Sequence, residues 1–559
     1  MSSAPATAAT TATAAASGAV LVTLACGQFL MALDSSVMNV SIATVATDVG
    51  TTVTGIQTAI TLYTLVMASL MITGGKLGQI WGRKRAFALG CTVYGCGSLT
   101  TALAPNLAVL LVGWSLLEGI GAALIMPAIV ALVASNFGRA ERPRAYGMVA
   151  AAGAVAVAAG PLIGGLFTTY ASWRWVFAGE VLVVVGILAL ARRVTDNPAE
   201  GGVRLDLVGT ALSALGLGLV VYAVLRAGSW GLVNPKPQAP SWLGVSAVSW
   251  LALAGGLVLL LFLSWERRRE GRGEAALIDT SMLGNRLLRA GLTSFFLQYM
   301  LLAGLFFAVP LFLSVSLGLS AISTGVRILP LSVTLLLAAV GVPKLFPQAS
   351  PRRVVRLGFL SLLLGLVSLT AALEVGVGAE VVTVPMLLAG LGIGALASQL
   401  GSVTVSAVPD EQSNEVGGLQ NTVSFLGSSV GTALSGAILV SALTTSFFTG
   451  IQGNPSIPAS LSAQAQVELA SGVPFIPDDQ LNEALSSVGV TGATAAAVVK
   501  ENEAARIDGL RASLAFLVVL GLVALFATGG LPQRQPGSSE PPTGADVPAP
   551  PHPEEGHSP

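Results

Sequence analysis

Fourteen stretches of the sequence are each apolar enough, over about 20 residues, to cross the hydrocarbon core of a bilayer as a helix. We place them at residues 18–44, 55–78, 86–104, 107–135, 143–169, 173–191, 205–226, 241–264, 289–316, 324–346, 354–373, 380–407, 416–446 and 511–531. The connections between them hold charged and turn-forming residues. This pattern predicts an all-α membrane protein with little soluble mass.

Composition excludes several classes of protein. Only 10% of the residues are charged, whereas soluble domains carry about 25%. Lys and Arg together number 28, as do Asp and Glu, so no basic excess indicates a nucleic-acid partner. The two histidines both lie near the C-terminus, which excludes a buried histidine metal site. We expect neither a metal nor a cofactor.

The cysteines and the chain ends carry weaker signals. Cys26, Cys91 and Cys96 lie in apolar stretches and are interpreted as small packing residues. Residues 1–17 are rich in Ala, Thr and Ser and lack the basic start of a signal peptide, so we expect a disordered N-terminus. Residues 532–559, rich in Pro, Ser and Glu, are expected to form a disordered tail.

Basic residues are distributed unevenly over the connections. The connections after the second, fourth, sixth, eighth and tenth stretches contain Arg83, Lys84, Arg85, Arg139, Arg142, Arg144, Arg192, Arg193, Arg204, Arg267, Arg268, Arg269, Arg272, Arg286, Arg352, Arg353 and Arg356. The opposite connections contain few: Arg174, Arg226, Lys236, Lys500 and Arg506. Because cytoplasmic loops carry an excess of Lys and Arg, we predict that the first set and both termini are cytoplasmic. The connection after the twelfth stretch is an exception, with Asp410, Glu411 and Glu415.

One connection, residues 447–510, is long, polar and predicted to face outside. Residues 460–471 and 491–505 have helical character, and Pro477-Asp478-Asp479 is a plausible helix start. Two interpretations remain open: a small helical cap over the outer face, or an inert solvated insertion.

Three carboxylates lie near the middle of predicted spans: Asp34 in the first, Glu118 in the fourth and Glu180 in the sixth. Ionisable groups within a membrane are costly and point to function. A carboxyl group removed from water is protonated more readily, so each is a candidate proton carrier. Each also has a structural interpretation: Asp34 as a hydrogen-bond acceptor, Glu118 as a partner of a neighbouring helix, and Glu180 as a companion of Arg174.

Few other polar groups occur within the spans, and aromatic residues accompany them. The candidates for lining a central cavity are Gln28, Phe29, Asn39, Tyr63, Trp114, Gln298, Tyr299, Gln399 and Asn421. Apolar walls with few polar groups suit amphipathic organic compounds better than sugars or ions. A phosphate-binding Gly-x-x-x-x-Gly-Lys-Ser/Thr loop is absent from the sequence, which argues against an ATP-driven pump. An ion gradient is then the expected source of energy.

The fifth stretch contains Gly153, Gly160, Pro161, Gly164 and Gly165. Glycines spaced four residues apart let a neighbouring helix approach at backbone distance. A proline removes one helical hydrogen bond and bends the helix at that level. Simple helix packing would account for the glycines alone, but the Gly-Pro-x-x-Gly-Gly ending is more specific.

Five stretches resemble motifs of the major facilitator superfamily, in its fourteen-helix drug:proton antiporter branch. They are the antiporter motif of the fifth stretch, the signature loop Gly75–Arg85 (with Gly75, Gln79, Gly82, Arg83 and Lys84), Leu33–Val40, Leu116–Pro127 and Ser172–Phe177. The resemblance covers about Gly18 to Leu531, except residues 447–510. The motifs occur in the family's order on the corresponding predicted helices.

Two positions depart from the family pattern. The acidic residue of the signature loop, which forms a charged latch in relatives, is Gln79 here, so the charge-assisted part of that contact is lost. The arginine that relatives carry four residues before Gly119 is Ser115, while Glu118 replaces a glutamine and Glu180 an asparagine. The resemblance therefore implies coupling through Glu118 and Asp34, or weaker coupling.

The resemblance implies a major facilitator fold with two six-helix pseudo-repeat bundles, residues 18–191 and 289–531, and two inserted helices at 205–264. It implies a proton-coupled exporter of hydrophobic or cationic organic compounds, not an enzyme, that acts as a monomer in a bacterial plasma membrane. Substrate would bind between the bundles, and residues 75–84 would form a cytoplasmic gate. Two alternatives remain: a dedicated exporter of a lipid or endogenous metabolite, and a transporter-like receptor or scaffold without turnover.

Overall fold

A computed structural model describes residues 6–137, 142–196, 205–236, 239–274, 276–408, 413–469 and 473–533. Apart from a two-residue β-hairpin that pairs Ser241–Trp242 with Val245–Ser246, the regular structure in these ranges is helical. The helices are α1 Ala6–Val40, α2 Ile42–Asp48, α3 Val53–Trp81, α4 Arg83–Ala102, α5 Leu107–Leu110, α6 Gly119–Asn136, α7 Arg142–Tyr170, α8 Arg174–Ala191, α9 Leu207–Trp230, α10 Ala247–Glu270, α11 Arg286–Leu311, α12 Ala321–Leu345, α13 Pro351–Ala372, α14 Thr383–Val405, α15 Ser413–Gly453, α16 Ala459–Glu468, α17 Asp478–Ser487 and α18 Gly492–Ala527. Short π-helical segments, Leu111–Glu118 and Phe312–Ser316, join α5 to α6 and extend α11.

Twelve helical segments of the described chain are long and apolar enough to cross a membrane, and the bent helix α7 makes thirteen. The predicted count of fourteen is not confirmed by this criterion. The helix that falls short is α4, which covers the predicted stretch 86–104. It begins with three basic residues and contains several Thr, Ser and Gly residues, so its average hydropathy is low.

The chain ends differ partly from expectation. The segment 1–17, predicted to be disordered, is helical from Ala6 onward. Alanine has the highest intrinsic helix propensity, so this Ala-rich segment continues the first span as one helix. The predicted disordered tail lies outside the described residues from residue 534, as do Arg139, Arg204, Asp410 and Glu411.

The helices pack as two halves. The first comprises α1 and α3 to α8, and the second comprises α11 to α15 with α18. The halves meet along two seams, α7 against α12 and α3 against α15. The pair α9–α10 packs together, and α9 lies against α3 and α15 beside the second seam. The boundary between the halves is therefore formed by α3, α7, α12 and α15.

The long connection 447–510 is largely helical. Helix α15 extends to Gly453, α18 begins at Gly492, and α16 and α17 lie between them. The buried guanidinium of Arg506 on α18 donates to a carboxylate oxygen of Asp478 at 2.5 Å and to the carbonyl oxygen of Ile476 at 2.8 Å. The segment packs against α15, α18 and the end of α11, so it is attached to the second half.

Candidate functional site

The three predicted membrane carboxylates lie together inside the first half. One oxygen each of Asp34 on α1, Glu118 on the π-helical segment and Glu180 on α8 lie within 4.8 Å of one another. Their exposed fractions are 0%, 0% and 2%. We call this group the carboxylate cluster. The structure thus unites residues that are 84 and 62 positions apart in the sequence.

Each carboxyl group has one oxygen that accepts a hydrogen bond and one that lacks a partner among the described residues. The donors are the Trp114 indole N–H to Asp34 at 2.8 Å, the Thr101 hydroxyl to Glu118 at 3.0 Å, and the Ser98 and Tyr94 hydroxyls to Glu180 at 3.1 and 3.4 Å. The indole N–H can only donate, so it fixes the orientation of Asp34. The remaining oxygens can take up protons.

Local helix geometry brings two of these side chains to the cluster. A π-helix closes its turns with i→i+5 hydrogen bonds, and such segments are frequent at functional sites. Trp114 and Glu118, four positions apart on the π-helical segment, both reach Asp34 and its neighbours. The ring of Tyr63 on α3 stacks on Trp114, with centroids 4.9 Å apart. Its buried hydroxyl has no partner among the described residues.

Electrostatics prevents the cluster from being fully ionised. Two unit charges 4.8 Å apart repel by about 3.5 kcal/mol at an effective dielectric constant of about 20. The charged groups that act on Glu118 in the described chain are the two other carboxylates, and no Lys or Arg is among them. The Ser115 hydroxyl donates to the carbonyl oxygen of Ala59 at 2.8 Å. The geometry therefore favours a cluster that binds protons.

The carboxylate cluster is also the group of described residues that could hold a metal ion. Carboxylate oxygens suit Mg²⁺ and Ca²⁺, but these ions take six or more oxygen ligands. One oxygen of each carboxyl group already accepts a hydrogen bond from a hydroxyl or indole group, which leaves only three oxygens without a partner in the described chain. The donor set thus fits protons better than a resident metal.

The other predicted cavity residues of the first half have local partners. The amide of Asn39 donates to the carbonyl oxygen of Ser35 at 2.7 Å. Phe29 packs in a small apolar cluster with Leu33 and Ala156. Gln28 lies beside Gly153, where an added Cβ would be 3.2 Å from its side chain. Of the cavity residues predicted in the first half, only Tyr63 and Trp114 lie at the carboxylate cluster.

The candidates in the second half are spread along α11, α14 and α15. Gln298 is buried and its side-chain oxygen has no partner in the described chain. The ring of Tyr299 stacks on Phe295 with centroids 6.4 Å apart, and Gln399 is buried. Asn421 lines a cavity at the end of the two halves that the basic loops predict to be cytoplasmic, and we call it the inner cavity. The structure does not bring these four into one cluster.

The inner cavity has a volume of about 100 Å³ and opens to the surface. Its walls are Met71, Ile72, Gly74, Gly75, Lys76, Gly78, Gln79, Arg83, Pro127, Ala128, Val130, Ala131, Leu277, Ile278, Met282, Gly417, Gly418, Leu419 and Asn421. Gly75, Gln79 and Arg83, predicted to form a gate, thus lie on its wall. Gly82, at φ 94°, makes the single-residue turn between α3 and α4. Asp196 accepts from the backbone N–H of Lys84 at 2.9 Å and fixes that turn.

The glycines of the fifth stretch lie at helix contacts. An added Cβ at Gly160 would overlap Ser36, and one at Gly164 would lie 3.0 Å from the Cα of Val37, both on α1. A Cβ at Gly165 would lie 2.6 Å from the carbonyl oxygen of Ala321 on α12. Glycine is therefore needed where α7 approaches α1 within the first half and α12 across the seam.

Pro161 lies at the same seam. Proline cannot donate to the carbonyl oxygen four residues earlier, which here belongs to Val157. The hydroxyl of Ser332 on α12 donates to that oxygen at 3.3 Å. At the end of the seam predicted to face outside, the backbone N–H of Ile322 donates to the hydroxyl of Thr169 at 3.0 Å. The seam thus joins the halves by backbone contact and hydrogen bonds.

Sequence reasoning missed the hydroxyl groups that surround the carboxylate cluster. Tyr94, Ser98 and Thr101 lie on α4 at intervals of four and three residues, which places them on one face of a helix. This polar stripe in an otherwise apolar stretch is the signal that would have found them. Ser332 carried no comparable signal, because its role depends on Pro161 of another helix.

Comparison with known proteins places the chain in a family. The model of the Major Facilitator Superfamily matches residues 24–432. A puromycin resistance protein of Streptomyces alboniger is 31% identical over 74% of this chain and 80% of its own length. A probable actinorhodin transporter of Streptomyces coelicolor is 30% identical over 78% of this chain and 74% of its own length. A solved bacterial homologue of the human lysosomal transporter Spinster has a TM-score of 0.57, with 14% identity over 92% of this chain and 97% of that chain.

Proposed function

Because the chain belongs to the Major Facilitator Superfamily, we propose that it is a proton-coupled exporter of hydrophobic or cationic organic compounds. Its relatives include proteins named for antibiotic resistance and for antibiotic transport. The observation that carries the proposal is the carboxylate cluster: three buried carboxyl groups within 4.8 Å. Such a group can hold and release protons inside a bundle that otherwise excludes water.

In the proposed exchange, the carboxylate cluster binds and releases the proton. With all three groups protonated it is neutral, and loss of one proton leaves a single carboxylate stabilised by the hydroxyl and indole donors around it. A cationic compound stabilises the ionised state by charge attraction and thus competes with the proton. Entry of a proton from outside neutralises the carboxylate and releases the compound. The exchange follows from this competition for one site.

The arrangement of the two halves determines from which end of the molecule a compound can enter. The seams between α7 and α12 and between α3 and α15 include Gln57, whose amide donates to the carbonyl oxygens of Thr432 and Ala433 at 3.0 and 3.2 Å. The inner cavity lies at the opposite end of α3, where Gln79 and Arg83 are located. The state is therefore closed at the outer end and open to compounds at the inner end.

Topology completes the proposal. We count α4 as the fourteenth span, because its twenty residues pack between α6 and α8 and bury Phe87, Cys91 and Tyr94. The chain then belongs to the fourteen-helix branch, with both termini and the basic loops in the cytoplasm of a bacterium. It acts as a monomer, since each chain contains both halves and the site between them.

A second candidate, export of one endogenous metabolite, is favoured by relatives that are each named for a single compound, a probable actinorhodin transporter and a cephamycin export protein. The two candidates share the coupling scheme and differ in the range of compounds carried.

The deciding experiment uses purified protein in proteoliposomes with an imposed pH gradient. Uptake of ethidium and puromycin is measured with the gradient present, absent and reversed, and Asp34→Asn protein serves as the inactive control. Transport that follows the gradient and disappears in the variant supports the proposal. Uptake that is indifferent to the gradient excludes proton coupling. A panel of resistance measurements in an efflux-deficient host then separates a broad exporter from a dedicated one.

A further inference from the structure

The segment 276–284, which we call the strap, lies between the inserted helices and the second half. It contains a short 3₁₀ turn, Thr280–Gly284, and leads into α11, whose first turn is capped by Asn285. Leu277 and Met282 are each only 5% exposed, although they lie in a connection. A connection that buries apolar side chains in this way is held in place by its surroundings.

Two glutamates of α10 hold the strap. Glu266, with 0% exposure, accepts from the backbone N–H groups of Leu277 at 2.6 Å and Ile278 at 3.4 Å. Glu270 accepts from the backbone N–H and, at 2.7 Å, from the hydroxyl of Thr280. Positions 266 and 270 are four apart and share one face of the helix. Hydrogen bonds to a carboxylate are about twice as strong as neutral ones, so α10 fixes the strap firmly.

The inserted helices are themselves fastened at this end. Asp206, which caps the N-terminus of α9, accepts from the indole N–H of Trp265 at 2.8 Å and pairs with Arg269 at 3.5 Å. Both partners lie on α10. The strap is thereby attached to a rigid helix pair, which packs beside the seam between α3 and α15.

The strap forms one wall of the inner cavity. Leu277, Ile278 and Met282 line it, and Met71 of α3 and Pro127 of α6 lie on the wall supplied by the first half. On its other side, Met282 packs with Leu288 and Leu419 of the second half. The strap therefore lines the cavity beside α15 of the second half, and its apolar side chains are presented to whatever the cavity holds.

We propose that the face of the strap formed by Leu277, Ile278 and Met282 is part of the compound-binding surface: Ile278, with Leu277 and Met282, contacts the transported amphipathic compound as it enters from the inner end, and α9–α10 hold the strap in place. This inference rests on the proposed function, because it assigns the inner cavity to the exported compound. It gives the two inserted helices a role in selectivity.

The first test alters the cavity wall. Ile278→Trp fills part of the cavity, and Ser281→Trp puts the same side chain at an exposed position of the strap outside the cavity. Steric changes in apolar pockets alter discrimination by about 10- to 200-fold. We expect Ile278→Trp to raise the half-saturating concentration of ethidium or puromycin about tenfold, with the maximal rate unchanged, and Ser281→Trp to leave both unchanged. Equal kinetics of Ile278→Trp and wild type would overturn the inference.

The second test does not depend on transport. Ile278→Cys and Ser281→Cys are made in a chain with Cys26 and Cys96 replaced, and their modification by a maleimide is timed with and without ethidium or puromycin in detergent. We expect the compound that the wild type exports to slow modification at position 278 and not at 281. Unchanged modification at 278 contradicts the inference. Failure of the wild-type protein to export either compound counts against the proposed function instead.

The anchor is tested in the same labelling assay. Glu266→Ala removes the carboxylate oxygen that accepts from both strap amides. Glu266→Gln keeps a neutral oxygen as acceptor, and Glu274→Ala removes an exposed carboxylate that pairs with Arg269. We expect Glu266→Ala to speed modification of Ile278→Cys and abolish protection, Glu266→Gln to be intermediate, and Glu274→Ala to have no effect. A strap that labels normally in Glu266→Ala is not held by α10.

Discussion

The hydroxyl of Ser332 on α12 lies 3.3 Å from the carbonyl oxygen of Val157 on α7 and donates a hydrogen bond to it. Pro161 has no N–H, so this carbonyl lacks its helical partner. A side chain of the second half thus completes a helix of the first half. The bend of α7, 40° between Gly147–Val157 and Ala159–Tyr170, occurs at the same level.

Ser332→Ala should weaken the closed outer seam. A neutral hydrogen bond contributes about 1 kcal/mol, so the population open at the outer end should rise about fivefold. The measurement is the yield of cross-links between cysteines introduced at Thr169 and Ile322. Ser361→Ala is the matched control, because that hydroxyl bonds to Leu388 within the second half. Equal cross-linking in the Ser332 and Ser361 variants would show that the bond does not stabilise the seam.

Asp34→Asn should abolish efflux driven by the pH gradient while leaving expression intact. The Trp114 indole can still donate to the amide oxygen, so the fold around position 34 is retained, but the side chain no longer binds and releases a proton. Efflux of ethidium from loaded cells provides the measurement, with protein level determined by blotting. Unchanged efflux of every compound would remove Asp34 from the coupling scheme.

Gly160→Leu should block transport more than it weakens binding. Even a Cβ at this position would overlap Ser36 of α1, and overpacking of a tight contact costs about 1–3 kcal/mol. Gly147→Leu on the same helix is the control, because a Cβ there meets nothing within 4 Å. Transport in proteoliposomes and ethidium binding in detergent are compared. Normal transport by Gly160→Leu would refute the packing argument.

Glu118→Gln should impair export of cationic compounds most and spare neutral ones. The Thr101 hydroxyl can still donate to the glutamine oxygen, so the change removes ionisation with little effect on shape. Resistance to a matched series of cationic and neutral compounds measures the effect. Ser115→Arg, next to an intact Glu118, should pair the carboxylate permanently and stall exchange. Equal loss for both classes in Glu118→Gln would assign Glu118 a structural role.

Arg506→Ala should loosen the segment between α15 and α18. Arg506 is 1% exposed and joins Asp478 and Ile476 to α18. We expect limited proteolysis to cut residues 454–491 at least several times faster than in the wild type. Arg511→Ala is the control, because its partner Glu374 is 4.0 Å away and 75% exposed. Identical digestion of both variants would indicate that Arg506 does not hold the segment.

The sequence predicted much of the fold, because a bilayer leaves few choices. Apolar length alone located the helices, since a backbone in lipid must satisfy its hydrogen bonds internally. Apolar length was a weaker guide at α4, because polar residues that face the protein interior lower the average hydropathy of that helix. The same residues, Tyr94, Ser98 and Thr101, are hydrogen-bond donors to the carboxylate cluster.

Identity and position along the chain sufficed to single out Asp34, Glu118 and Glu180, because an ionisable group within a span is costly wherever it lies. Only the tertiary structure decided that the three meet, that Trp114 orients Asp34, and that no Lys or Arg acts on Glu118 in the described chain. Periodicity shows which face of a helix a residue occupies but not which helix that face will meet. The Ser332–Val157 bond is a contact of that kind, set by the packing of helices distant in sequence. The bonds from Leu277 and Ile278 to Glu266 are closer in sequence, but they depend on how the connection folds back onto α10.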